Sequence, residues 1–159
     1  MEWSDAAVHW LHLMAAILWI GGTLAVSLVV HPVLRAELPD DARRGVYREL
    51  GRRFTKLQWW TWTVLAATGG LKLWSIRRAP EVFLGPFGKV LAVKLTLVAG
   101  MAALSLIHAL VWGPALVSRA SASAERATLA RRAAFWGKVN GLLMIGIVFC
   151  AALLRYNPW

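Results

Sequence analysis

The stretch that decides the fold is VHWLHLMAAILWIGGTLAVSLVVHP, Val8 to Pro32. It contains no Asp, Glu, Lys or Arg, and at about 1.5 Å of rise per residue it is long enough to cross a hydrocarbon core of roughly 30 Å. It reads as a membrane-crossing helix. Three histidines stand in it, His9 and His12 near its start and His31 at its end. A polar group placed in lipid is costly unless another part of the protein shelters it. His9, His12, Ala16, Trp19, Thr23, Val26 and Val30 follow alternating steps of three and four, so they form one stripe that should face other helices. Asp5 extends that stripe by a turn. His31-Pro32 is expected to end the helix, because proline cannot supply the next N–H of the ladder.

Three further apolar segments follow, giving spans of about 6–34, 57–76, 90–117 and 133–154, each near the length needed to cross a bilayer. With 159 residues, 58% of them hydrophobic, the chain fits one domain, 1–159, whose solvent is mostly lipid. The first segment has no basic flank before it and no small-residue cleavage site, so it reads as mature structure and not as a signal peptide. The single cysteine, Cys150, rules out an internal disulfide and a thiolate-rich metal site on one chain.

The net charge of +10 is explained by its placement. Seven Lys and Arg lie between the first two spans, from Arg35 to Lys56, and five between the last two, from Arg119 to Lys138. Six are on the other side, with Lys72 and Lys94 counted inside their helices. Together with acidic Glu2 and Asp5, that asymmetry predicts an inner-membrane protein with both termini on the periplasmic side. The basic residues then serve topology and lipid headgroups, and nucleic acid is not the expected partner.

Between the first two spans, Asp40 and Asp41 suit a helix start, and Val46, Leu50 and Phe54 recur among arginines. This predicts a basic amphipathic helix that lies on the membrane or runs straight into the second span. In the second span, Trp59, Trp60, Trp62 and Trp74 cluster at the two ends, as in an aromatic belt. Gly113-Pro114 should bend or end the third span, and the loop from Ser118 to Arg132 should be partly helical. Each span has a stripe holding its few polar groups: Gln58, Trp62, Leu65, Gly69 and Lys72 in the second, Lys94, Val98, Met101, Ser105, His108 and Trp112 in the third, and Gly137, Asn140, Met144, Val148, Ala151 and Arg155 in the last. Burying all four stripes together predicts an all-α integral membrane protein built as an antiparallel four-transmembrane-helix bundle.

The polar groups fall in two layers. In the outer one, Asp5, His9 and His12 sit on successive turns. Two imidazoles with Met14 nearby would favour copper over hard cations. Lys72 and Lys94 at similar depth would instead suit carboxylates or porphyrin propionates, and simple hydrogen bonding of interfacial histidines accounts for the same residues. In the inner layer, His31 and His108 come from different helices and are candidate axial ligands of a b-type haem. A satisfied hydrogen-bond network with Gln58 and Asn140 is the competing reading. No catalytic triad, carboxylate pair, phosphate-binding glycine loop or HExxH spacing occurs, so enzymatic chemistry would have to come from a bound cofactor.

The runs LHLMAAILWIGG (11–22), HPVLRAELP (31–39), RRFTKLQWWTW (52–62) and TGG (68–70) resemble the single-domain form of the CopD-like copper-resistance membrane family. KLTLV (94–98), SLIHALVWGPAL (105–116) and RRAAFWGKVNGLL (131–143) extend the likeness over nearly the whole chain. The resemblance implies a four-helix unit that handles or takes up copper at the inner membrane, with His12, Trp19, Gly21, Gly22, Lys94, His108 and Asn140 at matching positions. His12 with Trp19, and Lys94-Leu95, are more distantly similar to HemJ-type membrane proteins, which implies haem binding and protoporphyrinogen oxidation. In that group the third-span histidine stands about one turn earlier than His108.

The expectation is a non-enzymatic copper-handling or copper-transport protein, with His9, His12, Met14 and His108 as metal ligands. The first alternative is a b-type haem or porphyrin protein, electron-transferring or a haem-dependent membrane oxidoreductase, using His12, His31, His108, Lys72 and Lys94. The second is a structural membrane subunit. The expected partners are the lipid bilayer and a copper ion or haem, and a second copy of the chain fits the small size of one bundle.

Overall fold

The computed structural model describes residues 3–118 and 124–156, which are helical almost throughout, with no strand among them. Three continuous helical stretches are long and apolar enough to cross a membrane: Trp3–Glu37 with a mean hydropathy of 2.3, Pro86–Trp112 with 2.2 and Thr128–Tyr156 with 1.9. Leu28, Leu110, Leu142, Ile145 and Phe149 stand exposed on these stretches. In water such a surface would aggregate, whereas in a bilayer it meets acyl chains. The protein is therefore an all-helical, multi-pass membrane protein. The chain forms two compact units, Met1–Arg78 and Ala79–Trp159.

The first unit pairs α1 (Trp3–Ala25) with α3 (Asp40–Ile76). Ala15 and Trp19 of α1 are buried, and His12, Ala16, Thr23, Val26 and Val30 are at least half-covered, so the stripe is the packed face from His12 onward, while His9 and Asp5 at its outer end are exposed. Trp19 meets Trp62 of α3 edge to face, with ring centroids 5.6 Å apart, and Phe54 lies against Gly22. A Cβ on Gly22 would stand 3.0 Å from Phe54 Cε2. Trp62 is thus an interior residue, and the belt consists of exposed Trp59, Trp60 and Trp74, the last with Arg77 stacked over its ring at 3.4 Å.

His31-Pro32 does not end the first helix. A π-helical turn, Val26–Val30, carries the chain into α2 (His31–Glu37), and the His31 N–H donates to Val26 O, five residues back. The widened turn takes in one extra residue and makes room for the Pro32 ring, which in a regular α-helix would strike the carbonyl four residues earlier. The chain reverses at Leu38 and Pro39. The Arg43 guanidinium holds that corner, donating to Arg35 O and Leu38 O and pairing with Asp40.

The basic segment 43–56 belongs to α3, which runs unbroken for 37 residues. Of the two arrangements the sequence allowed, the structure takes the one that continues straight on. The start of α3 is laced by Asp41–Arg44 and by Glu49, which accepts from both Arg52 and Arg53. Those two guanidinium groups pull the Glu49 carboxyl from 4.5 down to about 2.

The second unit opens with α4 (Glu81–Leu84) and pairs α5 (Pro86–Ile107) with α7 (Ala124–Tyr156). Gly88, buried in the first turn of α5, lies so close to the Phe83 backbone that any Cβ there would clash with it. Met101 and Ser105 of α5 and Ala133, Met144 and Cys150 of α7 are buried. Val148 is exposed although the sequence puts it on the polar stripe. Steps of four drift about 40° each from a 3.6-residue period, so the second such step from Asn140 leaves the packed face. As at Pro32, Gly113-Pro114 follows a π-helical turn, His108–Trp112, and the helix continues as α6 (Gly113–Ser118). Glu2 of the acidic lead and Arg119 of the second basic loop lie outside the described residues. The expected helical character of that loop is seen from Ala124 onward.

The two units repeat one plan. The shift in numbering that carries Val26–Val30 onto His108–Trp112 also carries Pro32 onto Pro114, Gln58 onto Asn140, Thr68 onto Cys150, and the Trp19–Trp62 pair onto Met101 and Met144. The helices of each pair are in the same register. Asn140 Nδ2 reaches Ser105 Oγ at 3.4 Å, and those two positions correspond to Gln58 and Thr23.

Candidate functional site

Near the start of α1, two of its histidines reach the far half of α3. His12 Nδ1 lies 2.7 Å from Thr68 Oγ1, and the Thr68 hydroxyl lies 2.6 Å from Val64 O, one turn back on its own helix. A hydroxyl has one proton to give. The short contact to Val64 O takes it, so Thr68 accepts from His12 Nδ1–H. That puts a proton on Nδ1 of His12, so that in the neutral ring the lone pair is on Nε2, the nitrogen through which an imidazole binds a soft metal ion. Gly69 borders the same ring. A Cβ there would stand 3.7 Å from His12 Cε1, an ordinary contact. Thr68 is only 5% exposed, so the hydrogen bond is shielded from competing water.

His9 is held differently. Lys72 Nζ lies 2.5 Å from His9 Nδ1. An ammonium can only donate, so His9 accepts on Nδ1 and carries its own proton on Nε2. In this arrangement neither nitrogen of His9 presents a lone pair to a metal. Met14 is not brought to the pair: two residues on from His12 it lies about 200° round the helix, 37% exposed on the outward side. The outer tier of the first unit is therefore His12 with Thr68, flanked by His9 with Lys72.

His31 lies at the other end of the first unit, its ring stacked on Tyr47 with centroids 5.4 Å apart, and its carbonyl accepts from Tyr47 Oη at 3.2 Å. In the second unit, His108 opens the π-helical turn and meets Trp112 edge to face at 5.9 Å. Asn140 donates to Ser105 instead of to His108. The expected hydrogen-bond network around His108 is thus built one turn away from it. Lys94 is half-covered on α5. Among the described residues, no group of three or more His, Cys, Asp or Glu gathers as a metal cluster.

Two buried side-chain atoms have no hydrogen-bond partner among the described residues, Trp62 Nε1 and Asn140 Oδ1. The sequence puts Trp62 both on the polar stripe and in the aromatic belt and offers Asn140 as a hydrogen-bond partner of His108; that one polar atom of each goes unpaired is seen only in the fold.

A family model described as Copper resistance protein D (CopD) matches residues 48–154. The match covers most of α3 through most of α7, and with it Lys72, Lys94, His108 and Asn140. His9, His12 and His31 precede it. No curated protein and no solved structure matches the chain.

Proposed function

Since the chain belongs to the Copper resistance protein D family, we propose that it is a non-enzymatic copper-handling protein of the inner membrane, with His12 the imidazole that receives the ion. The observation that carries this reading is the His12–Thr68–Val64 chain of hydrogen bonds. A histidine whose Nδ1–H is committed to a neighbour presents a defined Nε2 donor without having to shed a proton. Imidazole suits copper, and the neutral donor spares the lipid-buried site an additional charge.

In this reading the chain is a single membrane domain that crosses the bilayer four times, the second crossing being the Leu57–Ile76 part of α3, with both termini on the periplasmic side. Gln58, Lys72 and the tryptophans lower the hydropathy of that segment, but its neighbours in sequence are spans and its basic end precedes it, as the positive-inside rule asks. His9, Lys72 and Asp5 line the approach to His12. Lys72 must release His9 before that imidazole can ligate, so the pair acts as a gate. His108, in the second unit, is the relay point toward the cytoplasm.

The test uses the full chain in nanodiscs: anaerobic Cu(I) titration against a chromophoric chelator, with an absorption spectrum of the same sample. Stoichiometric Cu(I) uptake by colourless protein, reduced by one equivalent in His12→Ala, supports the reading. A Soret band, or Cu(I) uptake unchanged in His12→Ala, overturns it.

A further inference from the structure

The geometry points to a second Cu(I) site in the second unit, formed by the paired thioethers of Met101 and Met144. This inference rests on the copper reading above and extends it to a residue pair outside the histidine sites.

The chain has four methionines, and these two are the most deeply buried large side chains of the second unit, each 1% exposed. Register brings them to one level. The Asn140–Ser105 hydrogen bond ties α7 to α5 on one side, and Leu97 against Gly146, 3.2 Å from where a Cβ would stand, ties them on the other. Met101 is one turn from Ser105 and Met144 one turn from Asn140. The helices are antiparallel, so both methionines lie between those ties, on facing sides. The repeated plan gives the same answer independently: the corresponding residues of the first unit, Trp19 and Trp62, are in ring contact across their helix pair.

Thioethers are neutral, soft and have no proton to lose, so a pair of them selects Cu(I) over Cu(II), Zn(II) and the hard cations. An unbranched side chain with three rotatable bonds also lets sulfur turn toward an arriving ion without moving the helices. One turn away, Asn140 Oδ1 is buried and accepts no hydrogen bond among the described residues. In an apolar interior that is a standing cost. A carbonyl dipole with its negative end unpaired, one turn from two thioethers, is an arrangement that favours a monovalent cation. Two leucines would fill this level of the helix pair without supplying any donor.

The experiment measures Cu(I) stoichiometry by chelator competition and metal–sulfur scattering by X-ray absorption on the full chain in nanodiscs. Met101→Leu/Met144→Leu, volume-conserving, is compared with Met14→Leu, His12→Ala and the wild type. The expected result is loss of one Cu(I) equivalent and of the sulfur scattering in the double variant, with both retained in Met14→Leu and in His12→Ala. If the double variant does not fold by circular dichroism, the single variants replace it, each expected to weaken this site about tenfold. Sulfur scattering and stoichiometry unchanged in the leucine variants overturn the thioether site. Binding that is abolished by His12→Ala and shows nitrogen ligation alone also overturns it, while leaving the copper reading standing. No Cu(I) uptake by the wild type removes both.

Discussion

His12 and Thr68, 56 residues apart in sequence, are joined through Nδ1 and Oγ1 at 2.7 Å, and Thr68 in turn is anchored to Val64 O. The threonine therefore orients the imidazole and fixes its proton. Thr68→Val keeps the shape and removes the acceptor, and Cu(I) affinity at His12 should fall about 10- to 100-fold, the range found for such supporting hydrogen bonds. Thr68→Ser should restore it. Chelator competition on the three proteins checks this, with thermal stability measured alongside.

Lys72 ties up His9 Nδ1 and brings a cationic group to the turn next to His12, the proposed copper ligand. Lys72→Met keeps most of the length and removes both effects. Repulsion between unit charges several ångströms apart in a medium of intermediate dielectric is on the order of 1–2 kcal/mol, so Cu(I) binding should tighten about tenfold. In a transport assay the same variant should release the ion more slowly.

Glu49 accepts from Arg52 and Arg53, which bring its carboxyl down to about 2. Since the folded-state value lies below the ordinary 4.5, the stabilisation these contacts give is fully present above pH 4.5. It fades as pH falls from there through about 2. Carbon-detected NMR of the side-chain carboxyl should give a midpoint near 2 in the wild type, moving toward 4.5 in Arg52→Ala.

Gly88 admits no side chain, because the Phe83 backbone occupies the space. Gly88→Ala should force α4 away from the first turn of α5 and cost about 1–3 kcal/mol, read as a lower unfolding temperature in detergent. Gly21 meets nothing within 4 Å of an added Cβ. Gly21→Ala is the control, expected to be neutral or mildly stabilising.

Much of this architecture can be read from residue order. The stripe through His12, Trp19 and Thr23 is the packed face because a helix that carries few polar groups through lipid must turn them inward. The α3 extension was legible as basic and amphipathic, but whether it lay flat or ran on depends on where the helix is interrupted, and nothing between Asp40 and Ile76 interrupts it. Pro32 does not end its helix because a proline blocks only a regular turn, and a wide turn placed before it is invisible to hydropathy. Met14 was grouped with His12 by closeness in sequence, whereas two residues along a helix point to nearly opposite sides. The internal repetition was hidden as well. Its chemistry differs at most equivalent places, Trp for Met, Thr for Cys and His for Lys, and Leu28-Val29 with Leu110-Val111 and the two prolines are among the few that keep their identity.

The extra residue held in Val26–Val30 acts as a phase setting for everything after it. With the same residues at ordinary pitch, His31 would swing about 100° around the axis, off the Tyr47 ring. Length in this part of the chain is therefore under tighter constraint than residue identity. Point changes among its valines should be absorbed, whereas a single-codon insertion, which a turn already widened has no slack to take in, should dislocate the His31 end of the first helix pair.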